Sequence, residues 1–203
     1  PNVEVVVQEG NQRAMTEMLR EDQLDLMLCN LVNQEGELEY EHLCWDPVIF
    51  LVQSAHPCCR YARYRDTFYH PWIDLREFEQ EIFILQHQGQ SLRQYSDQLL
   101  EEAGLSPQRI TQIRNIETAA QMAANGLGVS FCLESYFRHM MFIQPPYRFS
   151  VGERQLAADF SAAYRRGRQL PEYTVQFIPL LKNLMEMEVG RMVEMDKSVN
   201  KNL

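Results

Sequence analysis

A group of amide and hydroxyl side chains stands directly before one of the predicted helices. The spacing of Ser91 and Gln94 is that of a capping box, which predicts a helix start. The first turn of a helix presents unpaired N–H groups and partial positive charge, and amides can both donate and accept hydrogen bonds. This combination suits a carbonyl or anionic group of a small molecule. The candidate ligand-binding residues here are Gln86, Gln88, Gly89, Gln90, Ser91 and Leu92.

Other polar residues follow or occupy neighbouring predicted elements. Asn30 comes just after the predicted strand 24–29, and Asn115 is placed to cap a third helix. For Ser91, Asn115 and Thr118 a plain capping role is the alternative, and for the three glutamines it is a solvated loop. The further candidates for ligand contact are Asn30, Glu117, Thr118, Ser130 and Phe131.

Catalytic and metal sites find little support in the sequence. It contains no Gly-x-Ser-x-Gly elbow, and Gly126-Leu127-Gly128 lies at a helix end, where a dinucleotide loop needs a helix start. His56, Cys58 and Cys59 match no standard zinc spacing. We therefore expect no catalytic residue, no metal and no cofactor, and a protein that is not an enzyme.

Alternating strands and helices must position these candidates. A strand Val3–Val7, a helix to Leu19 and a nearly continuous apolar strand 24–29 predict one β-α-β unit. A second set begins at strand 82–85 and ends at strand 129–133, after the glycine turn. This order indicates an α/β fold with mixed, largely parallel sheets.

The two β/α sets predict two lobes. We expect residues 1–54 to form the first part of lobe I, residues 55–133 to form lobe II, and residues 134–203 to return to lobe I as a strand and a C-terminal helix. Two crossings between lobes would leave a cleft, and clefts hold small ligands.

Charge and composition narrow the class of protein further. The 203 residues carry a formal charge of -9, which argues against binding a nucleic-acid backbone. The five scattered cysteines favour a reducing compartment, and no apolar run approaches the roughly 18 residues of a membrane helix. We expect a cytoplasmic protein without a membrane partner.

Four stretches, taken in order, resemble the effector-binding domain of LysR-type transcriptional regulators. The most specific is the segment from Asn115-Ile116-Glu117-Thr118-Ala119 to Asn125-Gly126-Leu127-Gly128-Val129. The other three are residues 1–26, 45–57 and 90–104. The resemblance implies a two-lobed, periplasmic-binding-protein-like (type 2) fold that binds a small-molecule effector between its lobes.

The resemblance also implies partners. In that family two sensor domains pair side by side, so we expect a homodimer or homotetramer formed by 3–7 and 11–19 against 91–102 and 109–114. DNA would be bound only through a helix-turn-helix domain absent from this chain. The resemblance begins at the family's second strand, so a first β-α unit of about 30 residues is also expected elsewhere. The alternative is a free-standing solute-binding protein of the same fold.

Overall fold

The computed structural model describes residues 3–199, and it divides into two compact units. Unit 1 combines Pro1–Trp45 with Asp159–Ser198, and the body of unit 2 is Asp46–Ala158. Unit 1 is therefore built from the two ends of the chain. Unit 2 is one continuous stretch between them.

Unit 1 places two helices and three strands around a small core. Helix α1 begins after Asn11, whose Oδ1 accepts a hydrogen bond of 2.9 Å from the Ala14 N–H, as the sequence predicts. Met15 and Leu19 on this helix are buried against the first strand. The elements are α1 (Gln12–Arg20), β1 (Met27–Leu31), the first part of β2 (Leu38–Val52), most of β7 (Ala157–Arg165) and α5 (Glu172–Val199).

Two strand predictions in unit 1 are wrong. Val3–Val7 forms no strand: these valines are exposed and pair with no strand among residues 3–199. A β-branched run becomes a strand only when a neighbour satisfies its backbone groups. The predicted parallel strand at 24–29 is instead β1, which starts at Met27 and runs antiparallel to β7.

Unit 2 contains a mixed sheet with a parallel centre. Strand β3 (Ile82–Leu85) lies between β4 (Arg109–Gln112) and β5 (Val129–Leu133), and it is parallel to both. The second part of β2 runs antiparallel to β5 and to β6 (Tyr147–Phe149). The α/β prediction holds, and the parallel pairs are those of β3.

Three helices connect these strands. Helix α2 (Ser91–Glu102) joins β3 to β4, and α3 (Ile116–Ala124) joins β4 to β5. Because β4 and β5 flank β3 on opposite sides, we expect right-handed crossovers to place α2 and α3 on opposite faces of the sheet. Helix α4 (Glu134–His139) directly follows β5.

The glycine turn after α3 forms as the sequence predicts. Gly126 and Gly128 have φ angles of 75° and 153°, in the region that side chains with a Cβ rarely adopt. A Cβ on Gly128 would also overlap the carbonyl oxygen of Ile82. Glycine is therefore required where the chain turns from α3 into β5.

The boundaries between the units differ from the predicted lobe bounds at 54/55 and 133/134. They lie at Trp45/Asp46 and at Ala158/Asp159, inside β2 and β7. Proline and glycine mark loops, and a boundary inside a strand has no such residue to mark it. For this reason the sequence pattern predicted both boundaries at residues typical of loops or at the ends of strands.

Candidate functional site

The carboxyl ends of β3, β4 and β5 lie at one edge of the unit 2 sheet, because the three strands are parallel. Helix α2 begins shortly after β3 ends, and α3 begins shortly after β4 ends. Open α/β sheets bind ligands at this edge, where helix N-termini present free N–H groups. Most of the candidate residues in unit 2 lie near it.

Gln86, the first residue after β3, has an unusual environment at this edge. Its relative exposure is 0%, and neither its side-chain Oε1 nor its Nε2 has a hydrogen-bond partner among the described residues. Burying such a group without a partner costs about 1–3 kcal/mol. A bound molecule that offers both an acceptor and a donor would satisfy both atoms of the amide.

Arg93 fixes the backbone of Gln86, and the sequence did not single it out. Its guanidinium is buried, donates through Nη1 to the Gln86 carbonyl oxygen at 3.1 Å, and donates through Nε to Asp97 Oδ1 at 2.7 Å. The available signal was helical spacing, because Arg93 shares a face with the buried Ser96 and Leu100. Arg93 therefore positions the residue that carries the unpartnered amide.

Gln90 has a structural role at the start of α2, and its contact with a ligand stays a prediction. Its Oε1 accepts from the His87 N–H at 3.2 Å, and its Nε2 donates to the Arg114 carbonyl oxygen at 3.1 Å. It also occupies the N-cap position of α2, so the prediction that Ser91 is the cap is wrong. Ser91 is the first helical residue and is partly exposed.

The remaining residues of this loop divide into exposed and buried ones. Gln88 and Gly89 are exposed, and Gly89 has a φ of 88° that suits glycine. Leu92 is buried in the interior of unit 2. Leu92 therefore contributes to the core, and its contact with a ligand stays a prediction.

The start of α3 is capped within the chain. Asn115 Oδ1 accepts from the Thr118 N–H at 2.8 Å, which confirms the predicted cap. The side chains of Glu117 and Thr118 are exposed. Their predicted contact with a ligand stays a prediction.

Two predicted site residues belong to the interior of the sheet. Ser130 is fully buried, and its hydroxyl donates to the Ile84 carbonyl oxygen at 2.7 Å, which links β5 to β3. Phe131 is fully buried, and its ring centroid lies 5.1 Å from that of Phe50. These groups take part in strand pairing and core packing, and their contact with a ligand stays a prediction.

Asn30 lies in unit 1 as the fourth of the five residues of β1, opposite Phe160 of β7, so its predicted place after the strand is wrong. Its side-chain Oδ1 is buried and has no hydrogen-bond partner among residues that the structure describes. Asn30 thus shares with Gln86 the property of an unsatisfied buried amide atom. Both were among the predicted site residues.

A second buried polar cluster in unit 2 escaped the sequence analysis. Glu134, the first residue of α4, is almost fully buried, and its carboxylate lies 2.8 Å from His70 Nε2, 2.6 Å from Arg148 Nη1 and 3.3 Å from Arg138 Nε. Burial acts to raise the pKa of Glu134, but the hydrogen bond with His70 and the nearby positive charges lower it below its ordinary value. This cluster is internally satisfied.

Comparison with known families decides the class of this chain. The family model described as the LysR substrate binding domain matches residues 1–186. The chain belongs to the LysR substrate-binding domain family. The predicted family and its two-lobed fold class are thereby confirmed.

Curated relatives of this LysR substrate-binding domain are transcriptional regulators. CysL of Bacillus subtilis is 25% identical over 138 residues, which cover 68% of this chain and 43% of that protein. CbbR of Rhodospirillum rubrum is 21% identical over 182 residues, covering 90% of this chain and 57% of the relative. The chain spans about two fifths of the length of several such relatives.

Solved structures share the fold of this LysR domain. The BenM effector-binding domain with its effector benzoate has a TM-score of 0.72 and 16% identity, and the match covers 90% of this chain and 78% of that one. The Synechocystis CcmR regulatory domain with 2-PG has a TM-score of 0.70 and 18% identity, covering 86% and 79%. The QuiR effector-binding domain with shikimate has a TM-score of 0.67 and 18% identity, covering 85% and 77%.

The described part of this LysR domain contains neither a cluster of metal-binding side chains nor a membrane-spanning helix. No three His, Cys, Asp or Glu residues among those placed by the structure are arranged to hold a metal ion. Within the same residues, no helix is both long and apolar enough to cross a membrane.

Proposed function

We propose that this chain is the effector-sensing domain of a LysR-type transcriptional regulator and that the edge of unit 2 around Gln86 binds a small-molecule effector. The single observation that carries this proposal is the buried, unpartnered amide of Gln86. Buried polar groups are nearly always hydrogen-bonded, and an exception is explained when a ligand supplies the missing partner. The start of α2 adds N–H donors close by in the chain.

The chemistry of these groups favours a compact carboxylate or carbonyl compound that also carries a hydrogen-bond donor. The Gln86 Nε2 would donate to the oxygen of such a compound, and its Oε1 would accept from the donor. Helix N–H groups favour negative charge. Two fold relatives bind benzoate and shikimate, which are both small carboxylates, and this supports the same class of effector here.

The wider roles of the protein are part of this proposal. The domain would release its effector unchanged, because it acts as a sensor and not as an enzyme. DNA binding would come from a helix-turn-helix domain elsewhere in a longer regulator, located in the cytoplasm. The relatives' regulatory names favour this reading over a free-standing solute-binding protein.

We also propose that the domain functions as a homodimer or homotetramer, as the family resemblance implies. An isologous interface repeats each contact, so one substitution acts twice. Sedimentation at micromolar concentration is the direct measurement. A strict monomer for this chain would contradict assembly through this domain alone.

Calorimetry with a panel of small carboxylates, beginning with benzoate and shikimate, tests the site. For any compound that binds, Gln86→Leu should weaken affinity at least about tenfold, because the lost amide hydrogen bonds are buried. Gln88→Leu is the matched control, since Gln88 lies two residues away and is exposed. Equal affinities for the wild-type domain and Gln86→Leu would refute the assignment.

Mass spectrometry of the recovered compound separates a sensor from an enzyme. A bound carboxylate that returns unchanged after long incubation supports sensing. Catalytic conversion of that compound would contradict it.

A further inference from the structure

Residues 60–72 form a surface unlike the rest of this acidic chain. Arginines and tyrosines alternate at its start, from Arg60 to Arg65. The side chains point largely into solvent: the relative exposure is 42% for Tyr61, 64% for Tyr64 and 42% for Tyr69. The arginines and tyrosines of this stretch are used by neither the core nor the effector site, whereas His70 belongs to the buried Glu134 cluster.

Hydrogen bonds join the two ends of this surface to each other and to the rest of unit 2. Arg63 and Trp72 form an antiparallel bridge in which each N–H donates to the other's carbonyl oxygen, at 2.8 and 2.7 Å. The Trp72 indole N–H donates to the Gly152 carbonyl oxygen at 2.7 Å, which fixes the bridge to the chain beyond β6. A pre-ordered surface loses little conformational entropy when a partner binds.

Stacking holds two of the arginines in place. The Arg65 guanidinium carbon lies 3.5 Å from the centroid of the Trp72 ring, and that of Arg60 lies 4.8 Å from the Tyr61 ring. A guanidinium on an aromatic face keeps the donors at its edge free to form paired hydrogen bonds with a carboxylate. The tyrosine rings beside them offer apolar area.

This surface carries an excess of positive charge. No ion pair among the described residues includes Arg60, Arg63 or Arg65, although Asp66 lies in the same stretch and Asp74 is near enough to Arg65 to interact with it electrostatically. By contrast, the guanidiniums of Arg93 and Arg138 each contact a carboxylate. Three exposed arginines against the single aspartate of residues 60–72, in a chain of net charge -9, mark a local site for negative groups.

We propose that residues 60–72 are a docking surface for an acidic segment of a partner protein. Carboxylates of that segment would pair with Arg63 and Arg65, and its apolar side chains would pack on Tyr61 and Tyr64. Tyrosine, tryptophan and arginine are the residues that most often dominate binding energy at protein interfaces. A short segment fits better than a nucleic acid, because three cations neutralise few phosphates and the chain as a whole repels a polyanion.

Fluorescence anisotropy with a labelled peptide of alternating glutamate and leucine tests this proposal on the whole chain. We expect saturable binding that weakens as salt is added. A peptide of equal length with glutamine in place of glutamate should bind at least about tenfold more weakly, since it lacks the charges that pair with arginine. Equal binding of the two peptides would overturn the proposal.

Two charge-matched variants assign the binding to this surface. Arg63→Glu with Arg65→Glu should weaken binding of the glutamate peptide at least about tenfold. Arg13→Glu with Lys182→Glu makes the same change in net charge at exposed residues of unit 1, and it should change binding less than about twofold. An equal loss in both variants would show a response to net charge alone and would overturn the proposal.

A third variant and a third probe complete the test. Tyr64→Ala removes an exposed ring without changing charge, so it should weaken peptide binding severalfold while leaving the urea midpoint unchanged. A single-stranded oligothymidine should bind more weakly than the glutamate peptide. Tighter binding of the oligothymidine would assign the surface to nucleic acid and refute a protein partner.

Discussion

Two buried polar side chains in unit 2 stand directly after neighbouring parallel strands and have opposite environments. Glu134 follows β5 and is contacted by His70, Arg138 and Arg148. Gln86 follows β3, is buried just as deeply, and has no partner for either atom of its amide among the residues described. The same edge of one sheet thus holds a completed polar cluster and an incomplete one.

This difference separates polar groups that stabilise the fold from those left for another purpose. A buried carboxylate with several cationic partners is costly to break, because removing it strands the remaining charges. A buried amide without partners lowers the stability of the unliganded domain by about 1–3 kcal/mol. Replacing each group should therefore change stability in opposite directions.

The largest expected effect is on the Glu134 cluster. Glu134→Gln should lower the free energy of unfolding by about 3 kcal/mol, at the low end for a buried ion pair because both arginines are partly exposed. Urea denaturation gives this value directly. Glu153→Gln, at an exposed position of the same unit, is the control. A loss below about 1 kcal/mol would mean that the cluster contributes no more than surface pairs do.

The same cluster should also make the stability of the domain depend on pH, and this effect should be somewhat smaller. The pKa of Glu134 is lowered in the folded domain, so the unfolded chain binds its proton first as the pH falls. Stability from this group is present above the ordinary pKa of 4.5 and is lost as the pH falls through the folded value. Glu134→Gln should flatten this loss in urea midpoints measured across the acid range. An unchanged acid dependence in the variant would contradict the assignment.

Asp46 should change the pH dependence of stability in the direction opposite to Glu134. Burial raises its pKa, although it accepts hydrogen bonds from the backbone N–H and hydroxyl of Ser135. Its folded form therefore takes up a proton before the unfolded chain does, and this offsets part of the loss due to Glu134. Asp46→Asn should steepen the fall in stability towards acid. A shallower fall would show that burial is not the dominant influence on Asp46.

Replacing two glutamines that lie four residues apart should change the free energy of unfolding in opposite directions. Gln86→Leu should raise the free energy of unfolding by about 1–2 kcal/mol, because it removes an unsatisfied buried amide. Gln90→Leu should lower it by about 1 kcal/mol, because it removes the bonds to His87 and Arg114. Urea denaturation of the two variants in parallel is sufficient. If Gln86→Leu were the destabilising one, its amide would have partners in solution.

The smallest expected effects on stability come from residues at the starts of two helices, α2 and α3. Asn115→Ala should cost about 1 kcal/mol, because Asn115 caps the start of α3. Ser91→Ala should cost less than about 0.5 kcal/mol, because Ser91 is not the cap of α2. Thermal unfolding of both variants checks this. A greater cost for Ser91→Ala would show that its hydroxyl stabilises the unliganded fold.

Local signals predicted the features that depend on local contacts. The caps at Asn11 and Asn115 and the turn at Gly126 to Gly128 each depend on residues a few positions apart, and the structure contains all three. The placement of Gln86 after β3 also followed from the strand pattern. Its missing partners did not, because burial of one side chain depends on the packing of the whole unit.

Long-range features lay beyond the sequence pattern. Glu134 and His70 are 64 positions apart, and no spacing rule links them. The bond from Ser130 to β3 and the packing of Phe131 on Phe50 did not follow from the place of these two residues near a strand end. The valines at 3–7 have strand propensity and no strand partner among residues 3–199. Propensity alone cannot supply the partner.

The division of the chain into units also sets an order of folding during synthesis. Residues 46–158 of unit 2 leave the ribosome as one continuous stretch, so its sheet can close before the chain is finished. Unit 1 can complete its fold only later, because β1 pairs with β7, whose residues are made more than a hundred positions later. Until then the buried face of α1 has no complete core to cover it, and α1 and β1 are the elements that a chaperone would find exposed.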